Sequence, residues 1–479
     1  MAILEKLEPK KVFKFFEEMS AIPRGSGNTK AISDYLVAFA EERNLEYYQD
    51  ELNNVIIIAP ATEGYENAEA VILQGHMDMV CQTAPDCSKD MEKEGLDLAI
   101  GDDYVYAIGT TLGADDGIAV AMALAVLDSD DLPHPRVEAI ITVDEETGME
   151  GATGLDMSPI QGTRLLNIDS EAEGVFTVSC AGGARVECDF PVHREAFEGT
   201  VLKIDITGLL GGHSGVEIHK GRANPNILLG RLLHALESEQ ELRIISFCGG
   251  DKDNAIPTAS TALVAVENAE SAIALAAKMG DIFKAEYAGI DDGICVSAVP
   301  GESDMLPINQ KDTHQLVSFL FTVPNGVQAM SADIEGLVQT SLNQGILNCS
   351  EHTAIVRFSV RSSMDSQKRM LIAKVCRLAE SFGGAVTVSG DYPGWAYKKD
   401  SPLRDLLTEV YREQYGKEPV IEAIHAGLEC GLFIGKRPGL DCVSLGPQID
   451  EIHTFREKLW ISSTQRTWEL LKETLRRMK

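Results

Sequence analysis

The chain has 479 residues, 44% of them hydrophobic and 24% charged, which predicts at least two globular domains and no collagen-like or disordered protein. Acidic residues number 74 against 42 basic ones, and the formal net charge of -32 would repel phosphate backbones and anionic lipid surfaces. The charge therefore argues against nucleic acid and membranes as partners.

The start of the chain predicts an amphipathic helix and not a signal segment. "MAILEKLEPKKVFKFFEEMS" carries charges throughout its apolar positions and has no uninterrupted apolar core. The longest apolar run, "GIAVAMALAVL" at 117–127, is shorter than the roughly 20 residues of a membrane span. The ten cysteines form no Cys-x-x-Cys pair and are interpreted as reduced thiols. These features predict a cytoplasmic protein without a membrane segment.

Hydrophobic patterning divides the chain into three parts. Up to about residue 180, short β-rich runs such as "AVILQG" and "VEAIITV" alternate with helical stretches at 31–43 and 117–128, a pattern typical of α/β domains. From about 185 to 395, period-2 strands alternate with helices at about 225–239, 267–286 and 365–382, which predicts an α+β domain. Residues 401–417 and 460–479 read as helices around a strand, "CVSLGP". We expect this last part to rejoin the first, so that the middle part is an insertion.

Three of the early strands end in side chains that can bind a metal. His76 and Asp78 follow one strand, Glu145 and Glu146 a second, and Asp169 a third. Ligands in open α/β sheets bind at the carboxyl ends of strands, so these groups are expected along one edge. His76 and Asp78, two residues apart in an extended segment, project to the same side, which lets the carboxylate orient the imidazole.

Two acidic pairs have competing interpretations. Asp115 and Asp116 open an apolar helix, where a carboxylate is favoured as an N-cap even without a metal. Glu145 and Glu146 are neighbours in a chain expected to remain extended, so their side chains should diverge. One could then bind a metal while the other accepts a proton from a water. With His453, the set offers the nitrogen and oxygen ligands that suit zinc, with cobalt or manganese as substitutes.

Seven segments, in this order, resemble the dinuclear zinc metallopeptidases that include carboxypeptidase G, peptidase T and aminoacylase. They are "QGHMDMV", "GTTLGADDGIA", "EETGMEGA", "NIDSEAEG", "GGHSG", "NAIP" and "HAGLECG". The resemblance covers essentially the whole chain and is strongest to the branch of aminoacyl-histidine dipeptidases. It implies an α/β zinc-peptidase catalytic domain with a central mixed sheet flanked by helices, formed by 1–185 and 396–479. An inserted α+β domain, 186–395, would act as a lid or dimerisation domain.

The resemblance also implies roles for individual residues. His76 and Asp169 would bind one zinc, Glu146 and His453 would bind the other, and Asp115 would bridge them. The implied catalytic residues are Asp78 as the partner of His76, Glu145 as general base, and His213, which would reach the substrate carbonyl oxygen.

The implied substrate-binding residues are Asn254, Arg361 and Gly427. Simpler interpretations remain open for two of the inserted-domain residues. His213 lies among glycines that could form an ordinary turn, and Arg361 could be a solvated strand residue.

Two features depart from the pattern of the branch. Asp144 precedes the two glutamates where a threonine or similar residue is usual, so an extra negative charge lies beside the site or points away from it. The sequence "HTFREKL" follows where relatives carry a His-Ser-Pro type of turn, although Glu457 keeps the expected spacing. His453 is accordingly the least secure of the implied ligands.

These observations predict a dinuclear zinc dipeptidase that hydrolyses Xaa-His and other dipeptides with free amino termini through metal-activated water and a glutamate base. β-Alanyl-histidine is a candidate substrate. The expected partners are small peptides and, through 186–395, a second copy of the chain. The alternatives are another amide hydrolase of the same superfamily, such as an aminoacylase, tripeptidase or deacylase, and a non-catalytic metal-binding scaffold. Metal storage needs neither Glu145 nor Asp78, which argues against the scaffold.

Overall fold

A computed structural model describes residues 3–479, which form two compact units. The first unit comprises the described residues up to Ser179, Tyr397–Ala423 and Leu428–Lys479. The second comprises Cys180–Ala396 and Ile424–Gly427. The chain therefore leaves the first unit for one long insertion and, later, for one short segment.

The helices predicted from the sequence are present in the described residues, and except at the start of the chain their ends differ by at most three residues. The helix predicted over 1–20 begins at Lys10, and residues 1 and 2 of that prediction lie outside the described residues. The α-helices of the described residues are α1 Lys10–Ser20, α2 Lys30–Glu42, α3 Ala114–Leu127, α4 Glu145–Gly148, α5 Glu150–Gly154, α6 Pro225–Glu239, α7 Ala269–Glu286, α8 Gln310–Thr322, α9 Asp365–Ser381, α10 Pro402–Tyr415, α11 Glu429–Lys436 and α12 Ile461–Arg477. None of the helices within residues 3–479 is long and apolar enough to cross a membrane.

The strands belong mainly to one large sheet in each unit. They are β1 Glu46–Gln49, β2 Val55–Ala59, β3 Val71–His76, β4 Leu98–Ile100, β5 Tyr104–Ala107, β6 Val137–Thr142, β7 Arg164–Asn167, β8 Val175–Cys180, β9 Gly182–Pro191, β10 Thr200–Thr207, β11 Gly212–His213, β12 Leu242–Gly249, β13 Ala255–Ile256, β14 Ser260–Val266, β15 Cys295–Pro300, β16 Gly326–Met330, β17 Val338–Cys349, β18 Thr353–Ser362, β19 Ala385–Tyr392, β20 Val420–Ile424, β21 Asp441–Ser444, β22 Ile449–Asp450 and β23 Lys458–Trp460.

The first unit is built on an eight-stranded mixed sheet with the order β1-β2-β6-β3-β7-β21-β8-β20. Strands β6, β3, β7 and β21 run parallel to their neighbours in this group, whereas β1, β2 and β8 pair antiparallel. Every residue of β3 and β6 is buried, as expected for central strands covered on both faces. Because β3, β6 and β7 are parallel, their carboxyl ends lie at one edge of the sheet.

Close packing of α3 against β3 brings the start of that helix to the same edge. All 14 residues of α3 are buried, and it lies against both α1 and β3. At Gly75, a methyl group would come within 2.6 Å of the Ala119 Cβ and 2.5 Å of the Asp116 Oδ2, so glycine permits this approach. The helix thus presents its acidic first turn beside the ends of the parallel strands.

The second unit contains an antiparallel sheet with the order β15-β10-β14-β12-β17-β18-β9-β19, and β16 pairs with β17. Along β10 and β18 buried residues alternate with more exposed ones, and the buried side chains form a core with residues of α6–α9. Helices therefore cover one face, as predicted for an α+β domain. A separate two-stranded sheet, β11 and β13, carries His213. The idea that this unit closes as a lid stays a prediction.

Candidate active site

Metal-ligand side chains from separate segments gather at the carboxyl edge of the first sheet. His76 Nε2 lies 3.2 Å from Asp115 Oδ1 and 3.5 Å from Asp169 Oδ1. His453 Nε2 lies 3.0 Å from Asp115 Oδ2 and 3.0 Å from Glu146 Oε2. Asp115 therefore turns one oxygen towards each half of the cluster. The structure brings all five predicted metal ligands together, and with Glu145 we call this group the acidic edge.

The charges of the acidic edge are unbalanced in favour of carboxylates. Burial, with help from neighbouring carboxylates, raises the pKa of Glu145 to about 8 and that of Asp169 to about 7. Asp115 and Glu146 raise the pKa of His453 to about 10, and the pKa of His76 is also raised, because nearby carboxylates outweigh its burial. The carboxylates thus favour additional positive charge at this place.

The donor set fits divalent cations in a more specific way. The buried Glu146 Oε1 has no hydrogen-bond partner among the described residues, although its other oxygen faces His453. Ligand-type atoms of His76, Asp115 and Glu146 all lie within 4.8 Å of one another, as do those of His76, Asp116 and Asp169. Imidazole nitrogens and carboxylate oxygens at such separations are typical ligands of zinc.

Asp116 competes with Asp115 as a ligand on distance alone, but its contacts favour a structural role. Asp116 Oδ2 accepts a hydrogen bond from the backbone N–H of His76 at 3.2 Å, and burial raises its pKa well above the usual range. Its carboxyl group therefore links α3 to the end of β3. Asp115, whose two oxygens face both histidines, is better placed to contact two cations.

Asp78 holds the imidazole of His76 in position, as its spacing predicted. Its Oδ1 lies 3.4 Å from His76 Nδ1 and accepts the backbone N–H of Glu145 at 3.2 Å, while its Oδ2 accepts from Ser26 Oγ at 2.8 Å. Although burial opposes ionisation, His76 and these donors keep the pKa of Asp78 below its usual value. An ionised Asp78 directs Nε2 of His76 towards the other ligands.

The expectation that Glu145 and Glu146 continue the strand in an extended chain is wrong. Asp144 adopts a left-handed conformation with φ 55°, and Glu145–Gly148 form the helical turn α4. Successive helical residues are rotated by roughly 100°, so the two side chains still point in different directions, but for another reason. The Asp144 Oδ1 accepts the backbone N–H of Gly27 at 2.6 Å. The additional carboxylate of Asp144 is therefore hydrogen-bonded to the 25–28 loop.

Asp115 and Asp116 do not cap α3 in the structure. The backbone N–H groups at the start of this helix are bound by Glu457 instead. The carboxylate of Glu457 accepts backbone N–H groups of Leu112, Gly113 and Ala114 at 2.8–3.0 Å, and the residue is 3% exposed. Glu457 thereby satisfies the donors that precede α3 and leaves Asp115 free to face the histidines. The sequence indicated its spacing after His453 but not this role.

Sequence reasoning also missed a buried polar network beneath the acidic edge. Glu429 Oε2 accepts hydrogen bonds from Gln74 Nε2 at 2.5 Å and Thr142 Oγ1 at 2.8 Å, and Asn167 Nδ2 donates to Gln74 Oε1 at 2.6 Å. Burial, followed by the charge of Glu145, raises the pKa of Glu429 to about 8. Gln74 and Asn167 each lie two residues before a predicted ligand on a strand, so the network fixes the strands that carry His76 and Asp169.

In the second unit, the imidazole of His213 is held by hydrogen bonds within its own turn, and its catalytic role stays a prediction. Its Nδ1 accepts the backbone N–H groups of Gly215 at 3.2 Å and Val216 at 3.1 Å. Burial and the nearby Arg361 lower its pKa, so the ring is neutral at pH 7 and carries its proton on Nε2. His213 therefore presents a single N–H donor of fixed direction.

The remaining predicted substrate residues lie at different places in the second unit. Arg361, in β18, is 8% exposed, which is inconsistent with a solvated strand residue. Asn254 accepts the Ser214 N–H with its backbone carbonyl at 2.9 Å and lines a cleft of about 530 Å³ with Arg185. Gly427 ends the short segment Ile424–Gly427. His213 and Arg361 come together beside Gly215, and the pairing of His213 with Ala255 places Asn254 next to the segment that carries His213.

The mixed sheet, the inserted α+β unit and the acidic edge together define a metal-dependent hydrolase. The family described as Peptidase family M20/M25/M40 matches residues 72–477, and the chain belongs to this family. It is accordingly a metal-dependent peptide hydrolase, as the sequence predicted.

Two relatives match nearly the whole chain. The cytosol non-specific dipeptidase of Escherichia coli K12 is 36% identical over 482 residues, 99% of each chain. The crystal structure of aminoacylhistidine dipeptidase from Vibrio alginolyticus matches with a TM-score of 0.94 and 37% identity, covering 99% of this chain and 97% of that one. Aminopeptidase PepT from Bacillus cereus, at 18% identity and a TM-score of 0.57, covers 98% of this chain and 99% of its own and shares the fold alone. These matches confirm the predicted resemblance and fold class.

Proposed function

We propose that the protein is a dinuclear zinc dipeptidase that hydrolyses Xaa-His and other dipeptides with free amino termini. The observation that carries the proposal is the position of Asp115, whose two oxygens face His76 with Asp169 on one side and His453 with Glu146 on the other. The names of the Escherichia coli and Vibrio alginolyticus relatives support the substrate class.

In this proposal the acidic edge would hold two cations. His76 and Asp169 would hold one, His453 and Glu146 would hold the other, and Asp115 would serve both. When bound, two divalent cations lower the pKa of a water and polarise the scissile carbonyl.

The residues of the chain then supply proton transfer and charge stabilisation. Glu145 accepts a proton from the attacking water and delivers it to the leaving amine. The Nε2–H of His213 donates to the oxygen that becomes negative during attack, and the Gly215 and Val216 N–H groups keep that tautomer.

The substrate is held by groups of the second unit. Arg361 pairs with the terminal carboxylate of the dipeptide, because a guanidinium offers two parallel donors to a carboxylate. Asn254 and Gly427 are assigned further substrate contacts on the strength of the resemblance. We also propose that the protein is cytoplasmic. It is further proposed to form a homodimer through 186–395, and light scattering coupled to size-exclusion chromatography would measure its oligomeric state.

The test is metal analysis followed by a substrate panel. We expect two equivalents of zinc, with cobalt or manganese supporting turnover after exchange, and hydrolysis of free dipeptides including β-alanyl-histidine. Preference for N-acyl amino acids or tripeptides would instead identify an aminoacylase, deacylase or tripeptidase with the same metals. Zinc loading with no turnover of any panel member would favour a scaffold.

A further inference from the structure

Arg361 is a buried cation without an anionic partner. It is 8% exposed, its Nη1 lies 3.4 Å from Tyr392 Oη, and its buried Nε has no hydrogen-bond partner within residues 3–479. No ion pair to Arg361 forms among the described residues. Because an unpaired buried charge is costly, the surroundings of this guanidinium are arranged for an anion that comes from outside the chain.

The sheet places a second buried donor beside this guanidinium. Ser341 on β17 is paired directly with Arg361 on β18, so their side chains share one face of the sheet. Ser341 Oγ lies 2.8 Å from Nε2 of His425, a residue that is 6% exposed. His425 therefore lies on the same face as Arg361, and we call His213, Ser341, Arg361, Tyr392 and His425 the arginine pocket.

Gly215 shows how closely these groups approach. A methyl group there would lie 2.5 Å from the His425 carbonyl oxygen, 2.9 Å from His213 Cε1 and 3.2 Å from Arg361 Nε. Three segments that are far apart in the chain thus meet around one glycine without a side chain.

The imidazole of His425 has one nitrogen unused. Nδ1 is buried and has no hydrogen-bond partner among the described residues, whereas Nε2 is engaged by Ser341. When the serine hydroxyl donates to Nε2, the ring carries its proton on Nδ1. Burial, followed by the charge of Arg361, lowers the pKa of His425 to about 3, so the ring is neutral at physiological pH.

We propose that His425 is a specificity residue, whose Nδ1–H donates to the same substrate carboxylate that pairs with Arg361, with Ser341 holding the tautomer. This inference deepens the proposed function and rests on it. Two oxygens of a carboxylate can satisfy the guanidinium and the imidazole donor together. A carboxamide has only one acceptor oxygen, and its NH2 group faces the other donor, so that donor and the NH2 group are left unsatisfied. The pair therefore selects free carboxyl ends and rejects amides.

Replacing His425 by asparagine or by glutamine separates the functions of its two ring nitrogens. His425→Asn places an N–H near the position of Nδ1 but cannot reach Ser341, whereas His425→Gln reaches Ser341 and loses the Nδ1 donor. The measured quantity is the ratio of kcat/KM for a free dipeptide to that for its carboxyl-terminal amide. Both substrates are tested on one preparation, so a reduced fraction of folded enzyme cancels.

We expect His425→Gln to lower that ratio at least about tenfold, mainly through a higher KM for the free dipeptide, since a hydrogen bond to a charged group is worth about 1.5–3 kcal/mol. His425→Asn should keep the ratio within about threefold, and Ser341→Ala should give an intermediate loss. Unchanged ratios in His425→Gln and Ser341→Ala, or equal losses in the Asn and Gln variants, would overturn the proposal. If neither His425 variant folds, Ser341→Ala alone decides.

The outcome is separable from that of the proposed function. Should wild type hydrolyse N-acyl amino acids but no dipeptide, the dipeptidase proposal fails, and the same ratio is measured with an N-acyl amino acid and its amide. Should wild type cleave dipeptides and their amides equally well but not longer peptides, the role of His425 fails while the metal-dependent dipeptidase stands.

Discussion

The acidic edge of the first unit and the arginine pocket of the second have opposite electrostatic requirements. The acidic edge concentrates carboxylates, and burial raises the pKa values of Asp169 and Glu145. The arginine pocket holds a buried guanidinium with two imidazoles whose pKa values are lowered, and no ion pair to Arg361 forms among the described residues. The proposed ligands are accordingly of opposite charge: metal ions in the first region and a substrate carboxylate in the second.

The largest effect is expected when the acidic edge loses a proton carrier and not a ligand. Glu145→Ala should lower kcat by about 10²–10⁴-fold, the usual contribution of a general base, and keep near-normal zinc content. Glu146→Ala is the matched variant, and it should lose one zinc because its carboxylate faces His453. Kinetics combined with metal analysis decides the matter, and equal zinc loss in the two variants would contradict the assignment.

Removing the side chain of His213, the proposed hydrogen-bond donor of the second unit, should lower turnover without changing the metal content. His213→Ala should lower kcat by about 10²–10³-fold, as for other oxyanion donors, at unchanged zinc content. His213→Gln can place an N–H near Nε2 and should recover part of the loss. Kinetics that are unchanged in His213→Ala would reduce this residue to a turn former.

A smaller effect is expected from changing the shape of the cation in the arginine pocket. Arg361→Lys keeps a positive charge but loses the planar pair of donors, so kcat/KM for free dipeptides should fall about 10–100-fold. Wild-type enzyme should likewise lose activity on amidated or lengthened dipeptides. Equal rates on free, amidated and longer peptides would point to an aminopeptidase of the same superfamily.

The smallest effect should appear in stability. Glu457→Gln replaces an acceptor of four backbone N–H groups by an amide with one oxygen, so the free energy of unfolding of the first unit should fall by about 1–3 kcal/mol. Glu451→Gln, at an exposed position nearby, is the control and should change it little. Denaturant titration compares the two. Identical midpoints would show that these backbone donors find other partners.

The acidic edge was largely predictable because its parts are local. Four of the five ligand segments follow a strongly patterned strand or open an apolar helix, and parallel strands bring their ends together whatever their order in the chain. For the same reason the helix predicted at 117–128 was found at Ala114–Leu127. The extra turn at its start lies in the segment held by Glu457, an acceptor about 340 residues away that no local pattern reveals.

The failures share one cause, which is that they depend on contacts between distant segments. The left-handed conformation of Asp144 turns the chain after β6, and its carboxylate is held by Gly27. His425 acquires its environment from Ser341 and Arg361, and Glu429 acquires its own from Gln74 and Thr142. Within "HAGLECG" the resemblance pointed to Gly427, whereas the structure draws attention to the histidine and the glutamate on either side of it.

The order of the first sheet has a consequence for biosynthesis. Strand β21 lies between β7 and β8, so an interior position of the sheet stays empty until residue 444 has been made. His453 and Glu457 follow still later, although they complete a cluster whose other members lie before residue 170. At roughly 5–20 residues per second, about 280 residues separate the synthesis of Asp169 from that of His453, a delay of some tens of seconds. A nascent chain therefore exposes its early carboxylates and His76 long before His453 is made, so the proposed dinuclear site would be completed only at the end of synthesis.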